Sequence, residues 1–283
     1  MNIALKTRTS DSHKGTYGTV LIVGGSRGMY GAPSLCGSSA LISGCGLARV
    51  AIPSVCQEVV ASYDRQYTTI GLPCNADGKL TIQALPLIQE EVQAATAIAI
   101  GPGLGQSKEL DELILTLYET IEKPLVLDAD ALNAFSRRSR TIRLSYPRVL
   151  TPHPGEFARL MPQAKNQSRQ SQCELAQELA QQLNAVLVLK GHNTIVTDGK
   201  NVYTNSTGNP GMATGGAGDV LTGVIASLLA QQYDPIEAAQ IGVYVHGLAG
   251  DLAAQSVGQT SVTAERILEF LPGAFKKLEK DSK

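Results

Sequence analysis

Two alternating periods constrain this chain more than any other feature. Short apolar, β-branched runs recur along it: "TVLIV" (Thr19 to Val23), "LARVAIP" (Leu47 to Pro53), "TAIAIG", "PLVLDA", "RVLTP" and "AVLVLKG". Each is ended by Gly, Pro or Asp. Between several of them lie longer stretches of helical spacing. "APSLCGSSALISGC" has Pro33 near its start, where a helix tolerates proline best. In "SKELDELILTLYETIEK", Leu110, Leu113, Ile114 and Leu117 mark the buried stripe of a surface helix. Strand runs that are apolar throughout must be covered on both faces, which predicts a mainly parallel sheet between two helical layers. "TIVTDGKNVYT" departs from the pattern, because two strand-like runs flank Asp198-Gly199, a hairpin signal. Some antiparallel pairing is therefore expected late in the chain. Two helices are expected at its end, from about Pro235 to Ala254 and from Thr263 to Leu278. With no linker, repeat or low-complexity tract, residues 1–283 are expected to form a single domain of the α/β class.

Bulk properties narrow the partners. A formal charge of −1 carries no basic footprint, which argues against nucleic acid and acidic membrane surfaces. The five cysteines show neither CxxC pairing nor clustering with histidine, so reduced, mostly buried thiols are expected. The stretch "MNIALKTRTSDSHKG" lacks the apolar core of a signal peptide, and no apolar run approaches the roughly 20 residues that span a bilayer. The expected location is the cytoplasm.

The unusual loops fall in one class of position. "GGSRGMYG" follows the first strand, and "GPGLG" (Gly101 to Gly105) follows "TAIAI". "DADALN" (Asp128 to Asn133), "TPHPGE" (Thr151 to Glu156) and "KGHNT" (Lys190 to Thr194) close later strands. All lie at carboxyl ends, which share one rim in an open α/β sheet and form its ligand-binding edge. Neither glycine loop is a dinucleotide fingerprint or a Walker loop, and each could be an ordinary turn.

"GNPGMATGGAGDVLTGVIASLLAQ" (Gly208 to Gln231) is more specific. Five glycines fall in its first eleven residues, followed by Asp219 and then an apolar helical face at Val220, Leu221, Val224, Ile225, Leu228 and Leu229. Gly215 to Gly218 read as the loop entering a helix, where unpaired amides and the helix dipole receive an anion. Asp219 is then placed to take a proton from a hydroxyl attacking phosphorus. The plainer alternative makes Asp219 a helix cap, which leaves the preceding small residues unexplained. Among the histidines, His153 between two prolines suggests substrate contact. His192 stands near an expected phosphate or at a hairpin entry, and His246 reads as a satisfied core residue. His13 fits either role, while Asp128 and Asp130 either orient groups at the rim or serve turn chemistry.

Together these residues resemble a known family. "TGGAGD" before an apolar helix resembles the anion hole and base of the ribokinase-like superfamily. The ordered set "HKGTYG", "GGSRGMYGAPSLCGSSALISGCG", "GPGLG", "DADALN", "TPHPGEF", "KGHNTIV" and "NSTGNPGMATGGAGDVLTG" resembles the ADP/ATP-dependent NAD(P)H-hydrate dehydratases. Many kinases of the superfamily carry Asn-x-x-Glu where this chain has His153-Pro154-Gly155-Glu156, and histidine there is usual for the dehydratases.

The resemblance implies a ribokinase-like three-layer fold and a repair reaction. Water adds across the nicotinamide ring of NADH or NADPH; the enzyme phosphorylates the resulting hydroxyl, and loss of phosphate restores the reduced cofactor. It further implies Asp219 as base, Gly216, Ala217 and Gly218 as the phosphate-stabilising turn, and Ala40, Gly103, His153 and Asp219 around the hydrate. Lys190, Gly191, His192, Asn193, Thr194 and Gly218 would hold the nucleotide, with ADP the expected donor and ATP the alternative. Glu156 would hold Mg²⁺ indirectly, through water. A homotetramer is implied, acting beside a separate epimerase. The nearest rival is a hydroxyethylthiazole- or hydroxymethylpyrimidine-type kinase, sharing fold and base. A silent nucleotide-binding regulator and a Rossmann oxidoreductase fit the residues less well.

Overall fold

The computed structural model describes residues 4–137 and 146–281, so the first three residues of the N-terminal stretch read above lie outside it. One sheet of nine strands carries the fold: β1 (Thr19–Val23), β2 (Leu47–Pro53), β3 (Thr68–Leu72), β4 (Ala97–Ile100), β5 (Leu125–Leu127), β6 (Arg148–Leu150), β7 (Val186–Leu189), β8 (Ile195–Thr197) and β9 (Val202–Thr204). Their spatial order is β3-β2-β1-β4-β5-β6-β7-β8-β9. Strands β1 to β7 pair in parallel, and β8 and β9 pair antiparallel. The expected hairpin closes at Asp198, whose Oδ1 accepts the amides of Lys200 (2.8 Å) and Asn201 (2.7 Å).

The two-residue period of β1 divides the interior. Val20 and Ile22 face one core, while Leu21 and Val23 face the other. On the first side lie α1 (Gly31–Ile42), α8 (Ala217–Ala230), α9 (Pro235–Val257) and α10 (Ala264–Asp281). The second side is covered by α3 (Leu85–Ala94), α4 (Lys108–Thr120), α5 (Ala129–Ser136), α6 (Pro154–Leu160) and α7 (Arg169–Leu183). The short α2 (Gln57–Tyr63) leads into the edge strand β3. This is the expected sheet between two helical layers.

Local sequence explains the two kinds of helix. In α4, Ser107 caps the start by accepting the Leu110 amide at 3.1 Å, and the leucine stripe turns inward. Helix α8 is apolar nearly all round because it is packed between α1, α9 and the sheet. No helix among the described residues is long and apolar enough to cross a membrane.

Candidate active site

Strand order reverses beside β1: β2 and β3 extend one way, and β4 onward the other. The crevice at such a reversal is the ligand-binding position of open α/β sheets. Both glycine loops meet there. The Gly25 amide donates to Pro102 O (2.8 Å), the Gly101 amide to Val23 O (3.1 Å), and Ser26 Oγ to Gly103 O (2.8 Å). Asp130 Oδ2 accepts the Gly105 amide at 2.8 Å, so this acid fastens the second loop.

Next to the crevice, a cavity of about 760 Å³ opens over the ends of β5, β6 and β7 and the start of α8. Asp128, at the end of β5, is 1% exposed and spends its carboxylate on three partners. Oδ1 accepts from Lys190 Nζ (2.7 Å) and Thr151 Oγ1 (2.8 Å), and Oδ2 accepts from Thr222 Oγ1 (2.7 Å). The ends of β6 and β7 and the body of α8 are thereby pinned to one buried charge. Ala129, next in the chain, holds φ at 49°, a left-handed conformation costly for a residue with a side chain.

Helix α8 begins at Ala217, with Gly216 as its N-cap at φ 89° and no side chain capping the turn. The glycine run therefore does not end before the helix: Gly218 and Asp219 sit within its first turn. The first helical bond runs from the Val220 amide to Gly216 O (3.1 Å), which leaves the earlier amides without intrahelical acceptors. Asp219 is thus not the cap residue. Burial, then the charge of Asp128, push its carboxyl up to about 7, against the opposing pull of Lys190.

Glu156 behaves similarly. Burial raises it to about 7, with Lys190 pulling down and Asp128 pushing up. Burial would lower the Lys190 ammonium, but Asp128 and Glu156 outweigh that and leave its pKa raised. One cation among several carboxyls is the electrostatic centre of the cavity.

His153 caps α6. Its Nδ1 accepts the amides of Gly155 (3.0 Å) and Glu156 (3.3 Å), while Glu156 Oε2 accepts the His153 amide at 2.8 Å. That pattern leaves the proton of the neutral ring on Nε2, which stands 3.4 Å from Glu156 Oε1. Burial and the nearby Lys190 lower the pKa of this imidazole, consistent with the neutral form.

Most of the residues singled out in the sequence come together here. Gly216, Ala217, Gly218, Asp219, His153, Glu156 and the whole of Lys190 to Thr194 line the cavity. Two do not. Ala40, near the end of α1, is fully buried in the core with 0% exposure, and Gly103 lies in the crevice loop, away from the cavity wall. His192 is exposed on the cavity loop. His13 caps the short 3-10 turn Lys14–Tyr17, accepting the Gly15 amide at 3.1 Å. His246 is hydrogen-bonded as a satisfied residue should be, to Ala217 O at 2.9 Å, yet it also lines the cavity.

Other supports were not singled out. Thr222 lies three residues after Asp219 and therefore on its face of α8, a spacing legible in the sequence. Arg169, opening α7, donates from Nη2 to Leu189 O (2.9 Å) and Asn193 O (3.1 Å), holding the Lys190–Thr194 loop from behind. No local pattern signals that contact. Among the described residues no group of three His, Cys, Asp or Glu side chains forms a metal cage.

A family model described as NAD(P)H-hydrate dehydratase matches residues 20–273. The chain belongs to that family. A bifunctional NAD(P)H-hydrate repair enzyme from Moorella thermoacetica is 42% identical over 280 residues, covering 98% of this chain and 53% of the relative. The chain spans about half the length of such bifunctional relatives. The crystal structure of an ADP/ATP-dependent NAD(P)H-hydrate dehydratase from Bacillus subtilis, co-crystallised with ATP/Mg²⁺, aligns with a TM-score of 0.83 at 33% identity, covering 98% of this chain and 95% of that one. A ribokinase-like superfamily protein from Enterococcus faecalis aligns with a TM-score of 0.82 at 31% identity, covering 96% and 91%. The dehydratase family and the ribokinase-like fold expected from the motifs are thus both established.

Proposed function

We propose that this chain, as a single domain, restores NADH and NADPH from their S-hydrates by nucleotide-dependent phosphorylation followed by loss of phosphate. The observation that carries the reading is the first turn of α8: unpaired amides beside a carboxyl tuned to about 7, with Lys190 close by at Gly218, on the wall of a cavity large enough for a nucleotide. A general base works best when its pKa lies near the operating pH. Asp219 takes the proton of the hydrate hydroxyl as that oxygen attacks the terminal phosphorus of ADP, whose bond to the bridging oxygen breaks to release AMP. The turn from Gly216 to Gly218 stabilises charge on the transferring group, as oxyanion-hole donors do. Lys190 to Thr194 hold the nucleotide, with ADP as donor.

His153 and the glycine crevice containing Gly103 receive the hydrate, and Ala40 shapes this end from behind the wall. When bound, Mg²⁺ supplies neutralisation of phosphate charge. Glu156, one of the carboxyls lining the cavity with Asp128 and Asp219, is suited to hold it through water, because Mg²⁺ keeps several of its waters. We assign the chain to the cytoplasm as a homotetramer, working with a separate epimerase; the bifunctional relatives support the last pairing.

The test is absorbance at 340 nm with chemically hydrated NADH, Mg²⁺ and either ADP or ATP. A nucleotide-dependent rise with matching phosphate release is expected. A flat trace with both nucleotides from folded protein, together with a stable phosphorylated product from a hydroxyethylthiazole or hydroxymethylpyrimidine, would replace this reading with the kinase.

A further inference from the structure

One flank of α9, about 140° wide at 3.6 residues per turn, carries His246, Gly247, Gly250 and Asp251. Two separate walls of the cavity rest on it. The first is the start of α8. His246 Nε2 lies 2.9 Å from Ala217 O, and since a carbonyl only accepts, the ring donates from Nε2–H. Burial pushes this imidazole down to about 4, so it stays neutral and keeps that one proton.

The second wall is the strap formed by residues 205–214. Here α9 has no room for side chains: a Cβ on Gly247 would stand 2.2 Å from Thr207 Oγ1, and one on Gly250 2.2 Å from Met212 Sδ. Thr207 Oγ1 donates to Tyr244 O (2.8 Å), and Asn205 Nδ2 donates to Val243 O (3.2 Å). Asp251 accepts from the Gly208 amide and from Asn209 Nδ2, both at 2.9 Å.

We propose that His246 is a positioning residue for phosphoryl transfer, holding the Ala217 carbonyl so that the first-turn amides of α8 stay aimed at the transferring group, and that Asp251 fixes the strap that closes over the nucleotide. The proposal rests on the functional reading above. It separates two effects by helix position. Loss of the His246 bond disturbs amides that act on the transition state, so it lowers kcat. Loss of Asp251 loosens a wall that holds bound nucleotide, so it weakens affinity.

The experiment compares H246N, H246Q, H246F and D251A with wild type, reading kcat and KM by NADH recovery, ADP affinity by calorimetry, and thermal unfolding. Glutamine places an amide donor at the reach of Nε2; asparagine carries the same amide one carbon short; phenylalanine keeps the ring without a donor. H246N and H246F should lose kcat by roughly 30-fold, less than the about 10²–10³-fold cost of removing an oxyanion donor outright because the amides are only misaimed, with ADP affinity within about threefold. H246Q should recover to within about fivefold of wild type. D251A should weaken ADP by about tenfold with kcat within about threefold.

Equal activity of H246F or H246N and wild type, or equal impairment of H246Q and H246N, would overturn the role of His246. Unchanged ADP affinity in D251A would overturn that of the strap. If either H246N or H246F fails to fold, the other decides against H246Q, and D251A reads independently of both. Absence of NADH recovery in wild type would instead strike the functional reading, leaving the ADP affinities to judge the strap.

Discussion

The two glycine-rich parts of the rim use the same residue for opposite ends. At the β1–β4 crevice the protein itself fills the space a side chain would need: a Cβ on Gly101 would lie 1.8 Å from Asp128 O, and one on Gly24 2.5 Å from Pro102 O. At the α8 entrance the space is left open at Gly215 and Gly218, though not at Gly216, where a Cβ would meet Leu35 and Ala264. Gly215 has no protein atom within 4 Å of where its Cβ would stand, and Gly218 would meet only Lys190 Nζ at 3.2 Å and Asp128 Oδ2 at 3.7 Å. Gly24 and Gly101 are required by the fold, whereas Gly215 and Gly218 leave room for a ligand. Ion pairing follows the same division: the crevice is tied by backbone hydrogen bonds and single side chains such as Asp130, and the α8 side by the Lys190–Asp128 pair.

The sharpest break of this comparison is Asp219→Asn. Turnover should fall by about 10²–10⁴-fold, the usual weight of a general base, while the unfolding temperature holds or rises because a buried carboxyl is removed. A fall in stability with turnover preserved would move Asp219 to the structural side of the division. Next is Lys190→Met, which strands Asp128 as a buried charge. It should cost about 3–5 kcal/mol in urea unfolding, and adding Asp128→Asn should return part of that loss.

Gly101→Ala must fit a side chain at φ 135° against the Asp128 carbonyl. A loss of about 3 kcal/mol or more is expected in the same assay. Gly218→Ala tests the other pole. Its helical position accepts alanine, so stability should hold or rise by about 0.5–1 kcal/mol, while activity drops about tenfold from crowding beside Lys190. If both glycine variants lose stability equally, the division fails.

The smallest effect is in pH. As base, Asp219 must be ionised, so kcat should rise with pH through about 7. Stability should run the other way. The folded-state pKa values of Asp219 and Glu156 lie above their unfolded values, so their contribution is full at low pH and is lost as pH rises through about 7. Unfolding titrations of the ligand-free protein between pH 5 and 8 check the sign.

The sequence was legible where one period dominates. Doubly buried runs such as Val186–Leu189 announce a parallel strand, and Asp198-Gly199 announces its hairpin. Strand β3 escaped because Thr68–Leu72 is a half-exposed edge strand interrupted by Gly71, with neither a continuous nor an alternating apolar pattern. The start of α8 was misjudged by two residues, since Gly216 supplies a left-handed cap and the helix begins within the glycine run. At the site, the motif-bearing loops could be read because each follows a strand. Ala40 could not be placed, because one small residue on an apolar helix looks alike facing core or ligand. Arg169, Asn205 and His246 act through contacts between segments distant in sequence, and nothing local marks them.

The central claim is that the hydroxyl leaves as phosphate. NADH hydrate labelled with ¹⁸O in that hydroxyl, turned over with ADP and Mg²⁺, tests it by mass spectrometry of the products. Phosphorylation followed by cleavage of the carbon–oxygen bond carries the label into inorganic phosphate, one atom for each NADH formed. Label recovered in water, with unlabelled phosphate, would mean that the hydroxyl departs without ever joining phosphorus, and the roles given to Asp219 and the α8 turn would fall with it.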